Sequence, residues 1–298
     1  VEYKKFYFAK SRTQLILLKD LFYKRDAMSV FLEKFQKTKE EKNSIMCIGL
    51  DPAVPRMRDK DIMPEEKVKN KDETKAKVDF CSEIIENVSD FSCAIKPNTQ
   101  YTLDFGKKEH KKITKLVHDA GMIVILDHKL SDIGSTNQAA LFNIKEFGYD
   151  ALTISPFPGN IKEMVDFSKQ YQLGTIFLTL MSNPEAVSFM KEAKINGKPG
   201  YMFIAEKVRE FDGDGVVVGA TGHVTTEEIK QIRKIIGGEK LIFVPGVGRQ
   251  GGDVEKVLSA AGENVLIHVG RDIMYSDNQT ESARKYNELF NSLRIKND

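Results

Sequence analysis

The stretch ‘MIVILDHKLSDIGST’ (residues 122–136) carries two signals together: an apolar run without polar alternation, and a charged cluster where that run ends. A strand that is apolar on successive residues must be covered on both faces, as in a parallel sheet. Helical spacing follows at Ala140, Leu141, Ile144 and Phe147. Upstream lie two comparable runs, ‘SIMCIGLD’ (44–51) and ‘SCAIKPN’ (92–98). Downstream lie ‘ALTIS’ (151–155), ‘GTIFLT’ (174–179), ‘GVVVGA’ (215–220), ‘LIFVPG’ (241–246) and ‘VLIHVG’ (265–270). Amphipathic stretches separate them, with Val78, Ile84, Ile85 and Val88 on one face and Ile229, Ile232 and Ile235 on another. Strand–helix alternation implies a parallel sheet with right-handed crossovers. Eight repeats predict a single (β/α)8 TIM barrel over residues 28–298 rather than an open doubly wound sheet. Phe31, Leu32 and Phe35 mark a short helix before the first strand. The basic, aromatic segment Val1–Ala27 reads as an N-terminal extension of unknown role (a leader, an upstream-start artefact or an added helix), to which no chemistry is assigned.

Composition narrows the function. In 298 residues, 45 Lys and Arg nearly balance 43 Asp and Glu, which supports neither a nucleic-acid nor a membrane partner. The three cysteines are scattered, so a disulfide framework is not expected, and Cys47 and Cys93 read as small core residues. There is no run of ~20 apolar residues and no signal-peptide core, so a cytoplasmic protein is expected. The five histidines, His110, His118, His128, His223 and His268, show no metal-ligand spacing. His110, His118 and His223 read as surface or helix positions, His128 is expected to face the helix layer, and His268 to be packed.

A barrel of this kind places its chemistry at the C-terminal ends of the strands. The polar residues that end these runs are Asp51, Lys96, Asn98, Asp127, Lys129 and Asp132, then Ser182, Gln250 and Arg271. Strand alternation puts Asp127 and Lys129 on one face, with Asp132 in the following loop. A lysine held between carboxylates acts as a positioned cation and proton donor, not as a Schiff-base nucleophile. An ordinary strand-end ion pair is the plain alternative. Lys96 and Asp51 on neighbouring strands argue against it.

The glycines of ‘VPGVGRQGG’ (244–252) have the G-x-G-x-x-G spacing at Gly246, Gly248 and Gly251. A dinucleotide fingerprint would be followed by a strand ending in Asp or Glu for the ribose. Here that strand ends in Gly270 and Arg271, which suits a phosphate site between the seventh and eighth strands.

With these residues in view, the chain resembles the orotidine 5′-monophosphate decarboxylases, in the flavour found in apicomplexan parasites and some bacteria. The resemblance spans nearly everything from Met28 onward. It rests on ‘CIGLDP’ (47–52), ‘AIKPN’ (94–98), ‘LDHKLSDIGST’ (126–136), ‘MSNPEA’ (181–186), ‘FVPGVGRQGGD’ (243–253) and ‘HVGRDI’ (268–273), in that order. It implies a homodimer with shared active sites and no metal or organic cofactor. It also brings orotate phosphoribosyltransferase into view as a partner, fused or complexed. Asp51 would hold a ribose hydroxyl, with Lys96 and Asn98 beside it, and Asp127 and Lys129 would act in their own subunit. Asp132, Ile133 and Thr136 would enter the partner's site. Ser182 would read the pyrimidine near Pro245, while Gln250, Gly270 and Arg271 would hold the phosphate. Lys129 would stabilise and protonate the C6 carbanion left by CO2.

The sequence departs from that pattern at His128, where an apolar residue is usual. A Mg2+-dependent sugar-phosphate decarboxylase or aldolase shares D-x-K-x-x-D but wants a carboxylate where Lys96 and Asn98 stand. A dehydrogenase lacks its ribose carboxylate here. A non-catalytic phosphate-binding barrel would not retain the full charged array.

Overall fold

The computed structural model describes residues 28–246 and 251–295. The reading of Val1–Ala27 and that of Gln250 fall outside them. All eight apolar runs form strands: β1 (Met46–Leu50), β2 (Ala94–Pro97), β3 (Ile123–Leu130), β4 (Ala151–Ile154), β5 (Gly174–Leu180), β6 (Gly215–Val218), β7 (Leu241–Val244) and β8 (Val265–Val269). Each pairs in parallel with the next, and β8 returns to β1 through Met46↔Ile267 and Cys47↔His268, which closes the barrel. The chain is a (β/α)8 barrel.

The runs look continuously apolar because both strand faces are buried. Cys47, Ala94, Ile123, Ile125, Ala151, Ile176, Val217, Leu241, Phe243 and Leu266 fill the interior. Their neighbours Met46, Ile48, Ile95, Val124, Leu152, Phe177, Val216, Ile242 and Ile267 face the helices. Such alternation in a closed sheet gives a packed core, not a pore. The helix Val30–Glu41 closes the N-terminal end. Ser29 Oγ accepts a bond from Leu32 N–H at 3.2 Å and so caps that helix. Phe31, Leu32 and Phe35 then join the interior cluster. Phe35 is fully buried, so its truncation to Ala should cost about 3–5 kcal/mol.

Three details correct or add to the sequence reading. On the helix Thr226–Ile236 the buried residues are Ile229, Ile232 and Ile236, with Ile235 only partly covered, because a packed helix face follows the 3.6-residue period. His110 is buried, its Nδ1 2.8 Å from Tyr149 Oη and its ring 4.7 Å from that of Phe147. Between β5 and the helix Gly200–Glu210 sits an unforeseen insertion, a π-helical turn (Val187–Glu192) and an antiparallel ribbon (Lys194–Ile195, Lys198–Pro199). Asn196 and Gly197 turn the ribbon with φ of 52° and 78°, so ‘NG’ was its signal. Among the described residues, no helix is long and apolar enough to cross a membrane.

Candidate active site

Going up the barrel, the interior changes from apolar to charged within one layer. Gly49 on β1 pairs in register with Lys96 on β2, and Asn98 bridges to Asp127 on β3. Lys96 Nζ lies 2.5 Å from Asp127 Oδ2, and Lys129 Nζ lies 2.6 Å from Asp127 Oδ1. One carboxylate thus lies between two ammonium groups. Burial pushes the Asp127 carboxyl upward, but Lys96 and Lys129 outweigh it and hold the group well below the usual carboxylate range. Burial likewise opposes the Lys96 charge. Asp127 and Asp51 win there and hold the ammonium above its ordinary value. The Lys96 side chain is 4% exposed against 43% for Lys129, so Lys129 is the accessible cation.

Regular strand alternation does not bring Asp127 and Lys129 together. The β3–β4 register shifts between Leu126↔Leu152 and Leu130↔Ile154, so a bulge lies between them. Within it Lys129 adopts φ +54°, a left-handed conformation costing about 1–3 kcal/mol in a non-glycine residue. Its N–H donates to Thr153 Oγ1 at 3.0 Å, and the Thr153 hydroxyl donates to Asp127 Oδ1 at 3.0 Å.

Asp51 follows β1 on the same rim. Its Oδ1 is buried without a hydrogen-bond partner among the described residues. Tyr275 fixes the backbone there, donating to the Asp51 carbonyl at 2.8 Å and accepting from Ala53 N–H at 3.1 Å. Asn98 N–H donates to the Leu50 carbonyl, and its side chain accepts from Gln100 N–H at 3.1 Å. His268 occupies the interior below. A Cβ on Gly49 would collide with its imidazole, which is why β1 carries glycine at that point. Burial, then repulsion from Lys96, pushes the imidazole well below its ordinary value, so His268 is a neutral packing residue. His128 Nδ1 lies 3.1 Å from Thr99 Oγ1, in the 3-10 turn that follows β2.

Asp132 is not joined to this array within one chain. Its Oδ1 accepts from Ile133 N–H at 2.8 Å, so the ion pair of Lys129 is with Asp127 rather than with a flanking pair of carboxylates. Asp132, Ile133 and Thr136 are exposed. The loop that presents them is clamped. Asn137 Nδ2 and Asn160 Nδ2 donate to the Asp132 carbonyl at 2.6 and 2.9 Å, and Glu163 Oε1 accepts from Gly134 N–H at 2.9 Å. These three, like Thr153, were not singled out in the sequence. A threonine within the apolar run ‘ALTIS’ was the available signal for Thr153.

Across the rim, Ser182 packs so closely on the backbone after β6 that a Cβ on Gly219 would lie 2.7 Å from Ser182 Cβ. Pro245 is half-buried beyond β7. Gly270 precedes the short helix Arg271–Met274, and the Arg271 side chain is 60% exposed with Nη1 3.5 Å from Asp61 Oδ2. A cavity of about 660 Å³ adjoins it, lined in part by Asp61, Asp272, Tyr275 and Lys285. Among the described residues, no three His, Cys, Asp or Glu side chains are placed to hold a metal ion.

Known proteins are similar to this chain in sequence and in fold. An orotidine 5′-phosphate decarboxylase of Herpetosiphon aurantiacus is 34% identical over 271 residues, covering 88% of this chain and 96% of its own length. Among solved structures, an orotidine-monophosphate decarboxylase from Toxoplasma gondii superposes with a TM-score of 0.75 at 26% identity, covering 89% of this chain and 96% of that one. The orotidine 5′-monophosphate decarboxylase of Methanocaldococcus jannaschii, complexed with the inhibitor BMP, gives 0.63 at 28% identity over 83% of this chain and 98% of that one. The family model for orotidine 5′-phosphate decarboxylases and HUMPS proteins matches residues 45–286, from the first barrel strand to the last helix, and the chain belongs to that family.

Proposed function

We propose that this chain converts orotidine 5′-monophosphate to UMP and CO2, the last step of de novo UMP biosynthesis. The observation that carries this reading is Asp127 held between Lys96 and Lys129 at the barrel rim, with Lys129 the accessible cation. As the bond from C6 to the carboxylate breaks, CO2 leaves and the electron pair stays on C6. The Lys129 ammonium stabilises that carbanion and gives it a proton, and solvent restores the ammonium. Because charge develops where a fixed cation already stands, no metal or organic cofactor is required. Repulsion between Asp127 and the substrate carboxylate is a secondary contribution.

The Asp51 Oδ1, without a hydrogen-bond partner among the described residues, suits a ribose hydroxyl, with Asn98 beside it. Ser182 and Pro245 would read the pyrimidine. Arg271, Gly270 and Gln250 would hold the phosphate, whose binding energy can drive closure over the site. We assign Asp132, Ile133 and Thr136 to the active site of a second copy in a homodimer. Their exposure supports this, as do the exposed apolar side chains Ile133, Phe142 and Phe157 on neighbouring elements. Orotate phosphoribosyltransferase, fused or complexed, would supply the nucleotide. A cytoplasmic setting accords with the three free, buried cysteines.

The test is the absorbance change of orotidine 5′-monophosphate incubated with chelator-treated protein. A decrease unaffected by EDTA is expected. No change would refute the decarboxylase reading, and a change abolished by EDTA would favour the Mg2+-dependent chemistry of sugar-phosphate decarboxylases.

A further inference from the structure

We propose that Thr153 is a positioning residue for the reaction, its hydroxyl setting both the backbone of Lys129 and the carboxylate of Asp127; this rests on the decarboxylase reading. The Thr153 hydroxyl has one hydrogen. Asp127, an ionised carboxylate, can only accept, so that hydrogen goes to Asp127 Oδ1 at 3.0 Å. The oxygen is then free to accept from Lys129 N–H, also at 3.0 Å. A single side chain therefore connects the two ends of the Asp127–Lys129 pair.

The bulge explains why it is needed. Between Leu126↔Leu152 and Leu130↔Ile154 the strand register slips, and the ladder resumes only where Ser155 N–H meets the Leu130 carbonyl. Lys129 N–H points instead to a side chain, and Thr153 is 1% exposed, so water cannot readily replace that acceptor. Lysine does not favour a φ of +54°, so the conformation persists only because its surroundings impose it. Other interior threonines serve the fold. Thr179 donates to the Phe177 carbonyl, and Thr175 pairs with Asp214 near the opposite end of the barrel. Thr153 joins two members of the charged array.

A purely structural threonine predicts lost stability on replacement by valine, with catalysis falling only as far as folded protein does. A positioning role predicts a different pattern, because a displaced Lys129 Nζ affects the transition state more than nucleotide binding. Thr153→Val in the full chain should lower kcat about 10²-fold while KM stays within about twofold, the loss expected from misplacing a reacting group by about 1 Å. Thr153→Ser, which keeps the hydroxyl, should recover most of that kcat. Hydrogen exchange of the segment 127–131 gives a readout independent of turnover: Lys129 N–H should exchange faster in Thr153→Val and remain protected in Thr153→Ser. Parental kcat in Thr153→Val would overturn the proposal, as would equal losses in both variants. If the parent does not turn over the nucleotide, the decarboxylase reading fails, and the exchange measurement alone decides Thr153. Unchanged Lys129 protection in Thr153→Val then refutes its role.

Discussion

Replacing Lys129 by Ala should separate catalysis from stability, whereas replacing Lys96 should damage both. The Lys129 side chain is 43% exposed, and ion pairs at such sites contribute about 0–1 kcal/mol to folding. Lys129→Ala should therefore shift Tm by no more than about 2–4 °C for a barrel of this size. Lys129→Gly should be slightly the more stable of the two, because glycine meets no steric penalty at φ +54°. Catalysis should collapse in both. Loss of a proton donor that is also the electrostatic stabiliser costs at least ~10²–10⁴ in rate, or about 3–5 kcal/mol of transition-state energy. Lys96 is the opposite case, with its side chain 4% exposed and Asp127 only 12%. Lys96→Ala removes the buried lysine stem and leaves the buried carboxylate with only the half-exposed Lys129 as cation, lesions that together cost about 3–5 kcal/mol of stability. Turnover is read from orotidine 5′-monophosphate absorbance and stability from thermal melts. Lys129→Ala with turnover within tenfold of the parent, or with a Tm loss equal to that of Lys96→Ala, would refute the assignment of roles.

The shared site predicts complementation: inactive Lys129→Ala and Asp132→Ala subunits, exchanged at random, should recover up to about a quarter of parental activity, since one site in each mixed dimer is intact. No recovery despite proven exchange would mean self-contained sites. For the phosphate, Arg271→Ala should reduce kcat/KM by several kcal/mol at most, at ~1.5–3 kcal/mol per charged hydrogen bond, and should do so far less with orotidine lacking the phosphate. A coupling near zero in that four-member cycle would place the phosphate elsewhere. The depressed Asp127 carboxyl also predicts a pH dependence. Its stabilisation is present above the unfolded value of about 3.9 and is lost as pH falls from there towards the lower folded value. Urea midpoints measured from pH 6 to pH 2 should therefore drop less steeply for Asp127→Asn than for the parent, and parallel curves would contradict this.

The eight strands and the polar character of their ends were legible in the sequence because burial on two faces and helix amphipathicity are local, periodic properties. ‘MIVILDHK’ needs nothing beyond itself to read as a covered strand with charge at its exit. The insertion between β5 and the helix Gly200–Glu210 was not read, although Asn196–Gly197 marked its turn. A two-residue strand carries too little periodicity to register.

At the site, the residue types of Asp51, Lys96, Asp127 and Lys129 were determined by sequence alone. Their partnerships were not, because a hydrogen bond between residues on different strands depends on register. Only the folded chain decides that β3 slips by two residues against β4, that Lys129 turns left-handed, and that Thr153 lies between it and Asp127. Period-two alternation predicted the right neighbours by the wrong route, since it assumes a regular ladder. Asp132 shows the same limit from the other side. Its place three residues after Lys129 suggested a second carboxylate on that ammonium, whereas the fold clamps its loop through Asn137 and Asn160 and leaves its carboxylate exposed. Sequence sets which charges are available, and tertiary structure sets which of them meet, because electrostatic pairing depends on ångström distances that chain spacing does not encode.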